Sequence, residues 1–154
     1  MMKQAVLAAQ LYTIREFTQD TAGFADSMQK IRQIGYTAVQ ISGIGAIPDK
    51  QVKAILDEND LKVCITHTGF DRLQHDLDGV VAQHHLWNCK HVAVGSMPPQ
   101  YRQSGEEGFK AFARDASAIG ENLAQHDLTF SYHNHSFEFR RFGKRTGLDV
   151  IYEE

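Results

Sequence analysis

Long hydrophobic runs are missing from this sequence. No stretch approaches the roughly 18 consecutive apolar residues that a membrane-crossing helix requires, so a membrane partner is not expected. A basic excess is missing too. The chain has 16 Lys and Arg against 19 Asp and Glu, a net charge of -3, whereas a nucleic-acid surface carries a positive surplus. Cysteine is scarce. Cys64 and Cys89 are the two present, and both sit in apolar strand-like or helix-end contexts. They read as buried free thiols of a reducing compartment, not as a disulfide framework. The opening MMKQAVLAAQLY lacks a signal-type apolar core with a cleavage site and flows directly into a strand pattern. The expected location is therefore cytoplasmic.

What is present is alternation. Five short apolar, β-branched or aromatic runs stand at Ala5–Tyr12, Thr37–Ser42, Leu61–Thr66, His91–Gly95 and Leu128–His133. Between them, apolar residues recur with helical period. One face is Phe24, Met28, Ile31 and Ile34, and a second is Val52, Ile55 and Leu56. A third is Leu73, Leu77, Val80 and Val81, and a fourth is Phe109, Phe112, Ala116, Ile119 and Leu123. Helix starts are marked by Asp20-Thr21, by Pro48-Asp49 and by Ser104 ahead of Glu106-Glu107. Helix ends are marked by Gly35, Asn59-Asp60, Asn88 and His126-Asp127, each just before a strand.

Strand and helix joined by tight turns build βαβ units and a parallel sheet. The alternative, a doubly wound dinucleotide fold, carries a Gly-rich turn after its first strand. Here Tyr12 is followed by Thr-Ile-Arg-Glu-Phe-Thr, with no glycine to admit a pyrophosphate. The predicted class is α/β, a parallel (β/α) barrel. A closed eight-stranded barrel takes about 250 residues, with a lower bound near 200. The 154 residues are therefore read as the first five units of eight, one incomplete domain over 1–154. The closing GLDVIYEE reads as a helix just begun, without a cap.

In a parallel barrel the active site forms where strands end and βα loops begin. Those ends carry Gln10, Gln40, Thr66-His67-Thr68, Gly95-Ser96 and Tyr132-His133-Asn134-His135, with Glu138 three residues on. The opposite ends carry mainly turn residues. Within a strand, His133 and His135 share one face, and Tyr132 and Asn134 face away. Two imidazoles on one face of a strand end suit a divalent cation, or one ligand plus a proton shuttle. The bland alternative is one core histidine bonded to a carbonyl beside a solvated neighbour. His67 is read as a contact to a substrate hydroxyl. Gln10 and Gln40 must find partners because an unpaired buried amide is costly. Substrate hydroxyls and neighbouring backbone are equally open to them. Asn134 joins the substrate-binding candidates. Arg15 is assigned to the outer surface. His75, His84, His85 and His126 are assigned to helices packed outside the sheet, and His91 to the stability face. The basic run Arg140–Arg145 reads as a solvated hairpin around Gly143.

These residues carry a resemblance. Gln10-Leu11-Tyr12-Thr13-Ile14-Arg15, Ala38-Val39-Gln40-Ile41-Ser42-Gly43, Thr66-His67-Thr68 and Tyr132-His133-Asn134-His135-Ser136-Phe137-Glu138-Phe139 resemble motifs of the sugar phosphate isomerase/epimerase family. That family has the xylose isomerase-like TIM-barrel fold and includes inosose dehydratase-like and tagatose epimerase-like enzymes. The resemblance runs over nearly the whole chain, one motif per strand end.

It implies a divalent metal, often Mn²⁺ and otherwise Mg²⁺, Co²⁺ or Zn²⁺, held at the barrel mouth by one residue from each of strands five to eight. The matching ligand is His133, where many relatives have Glu. His135 then serves as proton shuttle and Glu138 as a catalytic carboxylate that can supply an oxygen. The implied chemistry is isomerisation, epimerisation or dehydration of a sugar or polyol through an enediolate. With strands six to eight absent, these 154 residues are expected to be inactive alone. A non-catalytic sugar-binding barrel is one competing reading. A metal-dependent endonuclease of the same architecture is the other, opposed by the net charge. Val39, Ile41, Val63, Ile65, Val92 and Val94 are read as lining the barrel interior. Together with the free edges of the first and fifth strands, they predict a homodimer or a loosely packed species.

Overall fold

The computed structural model describes residues 6–154. The start assigned to the first strand, Ala5, lies outside them. Five strands form one parallel sheet in sequential order. They are β1 (Ala8–Gln10), β2 (Ala38–Ile41), β3 (Lys62–His67), β4 (His91–Val94) and β5 (Thr129–Tyr132). The connections are α1 (Thr21–Ile34), α2 (Asp49–Glu58), the pair α3 (Phe70–His75) and α4 (Leu77–Leu86), and the pair α5 (Pro99–Gln103) and α6 (Gly105–Ala124). A 3₁₀ segment over Leu11–Phe17 leads into α1. After β5 come a hairpin of β6 (Arg141–Phe142) and β7 (Arg145–Thr146), and then α7 (Gly147–Glu153).

The helix boundaries follow local chemistry. The Asp20 carboxylate accepts from the Gly23 amide at 2.8 Å and caps α1. At four helix-to-strand joints the chain turns through the left-handed region. The residues are Gly35, Asp60, Asn88 and Asp127, with φ of 111°, 50°, 53° and 57°. Short polar residues tolerate that region better than other side chains. The expectation that the last helix lacks a cap is corrected. Thr146 and Asp149 form a reciprocal capping box at the start of α7. Ile34 also departs from its expected place, lying 74% exposed at the end of α1.

The core lies on one side of the sheet, between strands and helices. Val39, Ile41 and Val63 pack with Phe24 and Met28 of α1 and with Val52 and Ile55 of α2. Val92 and Val94 pack with Val80 of α4 and with Phe109 and Phe112 of α6. These five valines and isoleucines therefore point at the helices, and the reading that puts them in the barrel interior is overturned. Parallel partners in register share a side, so the other face carries the rows Gln10–Gln40–Ile65 and His67–Ala93–Ser131. It is small and polar, and Ile65 is its one large apolar member.

Within β3, one irregularity decides which side chains face the open side. The β2–β3 register slips after Val39↔Val63, so that Gln40 pairs with Ile65 and Cys64 has no partner. Strict alternation would put residues 63, 65 and 67 on one side. The bulge at Cys64 reverses the alternation. Val63 stays with the helices, while Ile65 and His67 turn to the open face.

Candidate functional site

The C-terminal ends of the strands surround a cleft of about 450 Å³. Its walls include Gln10, Tyr12, His67, Thr68, His133 and His135. Three imidazoles meet there from two different strands. The His67 and His133 rings pack edge to face with centroids 5.1 Å apart, and His133 and His135 lie 5.0 Å apart. The β5 ladder extends one residue beyond the strand, with the His133 amide donating to the Val94 carbonyl at 3.0 Å. Tyr132 turns the other way, into the helix layer against Phe112.

His67 is held by both nitrogens. The Gln40 amide nitrogen lies 2.6 Å from Nε2, and the Ser42 hydroxyl lies 3.1 Å from Nδ1. With the amide donating, Nε2 accepts and Nδ1–H donates to Ser42. Burial, and then the neighbouring His133 and His135, push the His67 pKa below its ordinary value, favouring the neutral ring. One amide hydrogen of Gln40 is thus engaged by His67. That partner is a side chain, a third kind beside the two alternatives weighed, substrate and backbone. Gln10 lines the cleft directly.

Two expected site residues stand elsewhere. Glu138 is fully buried. One carboxylate oxygen accepts from the Tyr132 hydroxyl and the other from the His135 amide at 2.7 Å. It is absent from the wall of the cleft that these strands form. With both oxygens engaged inside the fold, it anchors the turn that carries His135. Asn134 is exposed outside the cleft, its amide donating to the His135 carbonyl at 3.2 Å. Arg15 lies over the Tyr12 ring at 4.4 Å and donates to the Tyr12 carbonyl, on the exposed surface as expected.

The sequence places Tyr12, Ser42, Thr68 and Gly95 at the rim without marking any of them as a site residue. All four sit at strand C-terminal ends, so the rim rule that selected His67 contained the signal. A Cβ on Gly95 would lie 3.0 Å from His67 Nδ1, so glycine lets the chain just beyond β4 approach the ring closely.

A metal is a separate question. Imidazoles are suitable donors, but among the described residues no group of three or more His, Cys, Asp or Glu could hold a metal ion. Both nitrogens of His67 are taken, and Glu138 is turned inward. The donor set of this chain does not by itself fit the metal that the resemblance implies, and no step is routed through one.

No protein-family model matches the chain, and no curated protein matches it. Solved structures do. A sugar phosphate isomerase/epimerase from Parabacteroides distasonis superposes with a TM-score of 0.78 at 17% identity, over 97% of this chain and 65% of that one. An AP endonuclease of family 2 from Brucella melitensis gives 0.59 at 15% identity, over 84% and 55%. A xylose isomerase-like TIM barrel protein from Mycobacterium smegmatis, in complex with magnesium, gives 0.57 at 11%, over 82% and 54%. The chain has the fold of the xylose isomerase-like TIM barrels and spans 65% of the length of the first of these relatives.

Proposed function

We propose that the cleft binds a sugar or polyol, and that the barrel to which these strands belong isomerises, epimerises or dehydrates it. The observation that carries this reading is the convergence of His67, His133 and His135 with Gln10 at one mouth. His67 is braced as a neutral ring. His133 and His135 stand at the exposed rim, within reach of one another. An imidazole there can take a proton from a carbon next to a carbonyl and return it to the neighbouring carbon or to the opposite face. The first outcome is isomerisation and the second epimerisation. Loss of a hydroxyl from the next carbon instead gives dehydration. Gln10 supplies an amide to hydroxyls of the bound chain. The sugar phosphate isomerase/epimerase relative supports the reading through its fold. The net charge of -3 favours a sugar over the nucleic acid that the endonuclease relative's name denotes.

The test follows the imidazole resonances by NMR while xylose, fructose, xylitol and inositol are titrated in turn. His133 and His135 are expected to move, and His75, exposed on α3, is expected to stay. Equal movement of His75, or no movement of any ring with any of the four, rejects the cleft as a sugar site. In a complete barrel containing this segment, His133→Ala is expected to lower kcat/KM at least a hundredfold and His75→Ala to leave it unchanged.

A further inference from the structure

Beneath the cleft, between β3 and α4, lies a buried imidazole that the proposed chemistry does not use. His84 is fully buried. Its Nδ1 is 2.7 Å from the Val80 carbonyl oxygen, one turn earlier in α4. Its Nε2 is 2.7 Å from the Thr66 hydroxyl, and Thr66 is 3.2 Å from the Thr68 hydroxyl. Thr66 and Thr68 are both buried. Thr68 borders the 450 Å³ cleft and also a neighbouring cavity of about 300 Å³.

The direction of this chain of hydrogen bonds is fixed from its buried end. A carbonyl oxygen only accepts, so His84 Nδ1 carries the proton. A neutral imidazole has one N–H, so Nε2 accepts and the Thr66 hydroxyl donates to it. Thr66 has then spent its only proton, and its oxygen accepts from Thr68. Thr68 has likewise spent its proton. What it has left for the cavities is lone pairs. Burial also holds the His84 pKa below its ordinary value, consistent with the neutral ring.

We propose that Thr68 is a specificity-determining residue that only accepts hydrogen bonds, set in that orientation by the relay Thr66–His84–Val80. It selects a ligand group that donates, such as a sugar or polyol hydroxyl, and rejects a carbonyl or carboxylate oxygen at that position. The ligand class rests on the sugar-binding reading above. The orientation of the relay does not.

The experiment has two arms, both on the whole chain. Long-range ¹H–¹⁵N NMR reads the His84 tautomer, with Thr66→Ser and Thr66→Val as comparisons. The expected result is Nδ1–H in the wild type and in Thr66→Ser, with the Nε2 resonance displaced in Thr66→Val as its donor is lost. An Nε2–H tautomer or a charged ring at neutral pH overturns the proposal. The second arm measures xylitol affinity. Thr68→Val is expected to weaken it about fivefold to tenfold, the worth of one hydrogen bond, and Thr68→Ser to preserve it. Unchanged affinity in a folded Thr68→Val overturns the specificity role even if the tautomer is as expected. Failure of the wild type to bind xylitol or any related polyol counts against the sugar-binding reading. The acceptor orientation of Thr68 then stands or falls on the tautomer.

Discussion

His67 contributes a ring, not a free nitrogen, to the cleft, and that sets what substitutions around it should do. The ring is fixed by Gln40 of β2 and by Ser42 just beyond it, and backed by Gly95 just beyond β4. A methyl at position 95 would sit 3.0 Å from Nδ1 and 3.2 Å from Cγ. Relief requires the ring to move by a few tenths of an ångström against its bonds to Gln40 and Ser42. Gly95→Ala is therefore expected to change the His67 and His133 resonances together, because the two rings pack edge to face, and to leave His75 unmoved. Unaltered His67 and His133 shifts would show that the ring is not braced as described. Glu138 invites a different test. Removing its carboxylate takes the acceptor from the part-buried Tyr132 hydroxyl and from the His135 amide. Glu138→Ala is expected to cost about 1–3 kcal/mol in urea unfolding. Glu138→Gln should lose less, since its amide oxygen can still accept from His135 and the Tyr132 hydroxyl can rotate to accept from its nitrogen. If the two variants lost equal stability, the hydrogen bonds would not be what Glu138 supplies.

At the scale of elements, the sequence was legible wherever a single local rule decides the outcome. The four left-handed joints at Gly35, Asp60, Asn88 and Asp127 sit where turn residues precede strands, and the helix faces of α2 and α6 are buried as their period demands. The basic run around Gly143 is the hairpin it promised to be. Legibility failed where two strands had to be compared. Val63, Ile65 and His67 obey alternation in the sequence, and the bulge at Cys64 that overrides it exists only in the pairing of β3 with β2. The same limit applies to the site. His67, His133, His135 and Gln10 could be selected because strand ends are visible in the sequence. The inward turn of Glu138 could not, since it depends on Tyr132 occupying the helix layer beside it. The relay through His84 is similar. His84 reads as one of several helix histidines, and only its contact with Thr66 across the β3–α4 interface separates it from exposed His85.

Two properties belong to the whole molecule, and the first is its response to pH. His67 and His84 both have folded-state pKa values below the ordinary imidazole value, burial being the main cause in each. The unfolded chain binds those protons near pH 6.5, and the folded chain binds them only at lower pH. The sign follows from linkage: the stabilisation is fully present above about pH 6.5 and is lost as pH falls through the folded-state values. Urea midpoints measured from pH 8 downward should hold steady and then decline below about 6.5. His84→Leu, which cannot be protonated, should flatten part of the decline. A midpoint rising as pH drops through that window would reverse the assignment.

The second property is self-association, and the structure changes its basis. The open face of the sheet is not the apolar patch that alternation implied, since Gln10, Gln40, His67, Ala93 and Ser131 occupy it. Dye binding to that face should therefore be weak. The edges are a separate matter. Among the described residues, β1 pairs only with β2, and β5 only with β4. Beside β1, Val6 and Leu7 are exposed. Beside β5 runs an apolar groove of about 660 Å³ bordered by Ala116, Gly120, Phe130, Ile151 and Tyr152. Unpaired edges next to apolar side chains promote strand-to-strand pairing, and a lysine there opposes it by demanding hydration. Sedimentation velocity across a hundredfold concentration range should show the chain associating. The double variant Leu7→Lys with Thr129→Lys, both at exposed edge positions, should shift it toward monomer. Ile65→Lys, on the open face of the inner strand β3, should have less effect, because that face is not where copies meet. A wild-type chain that sediments as a monomer throughout would mean that the edges are protected. A chain dissociated equally by Ile65→Lys would mean that copies meet through the open face, closing over the cleft and removing His133 and His135 from reach of a ligand.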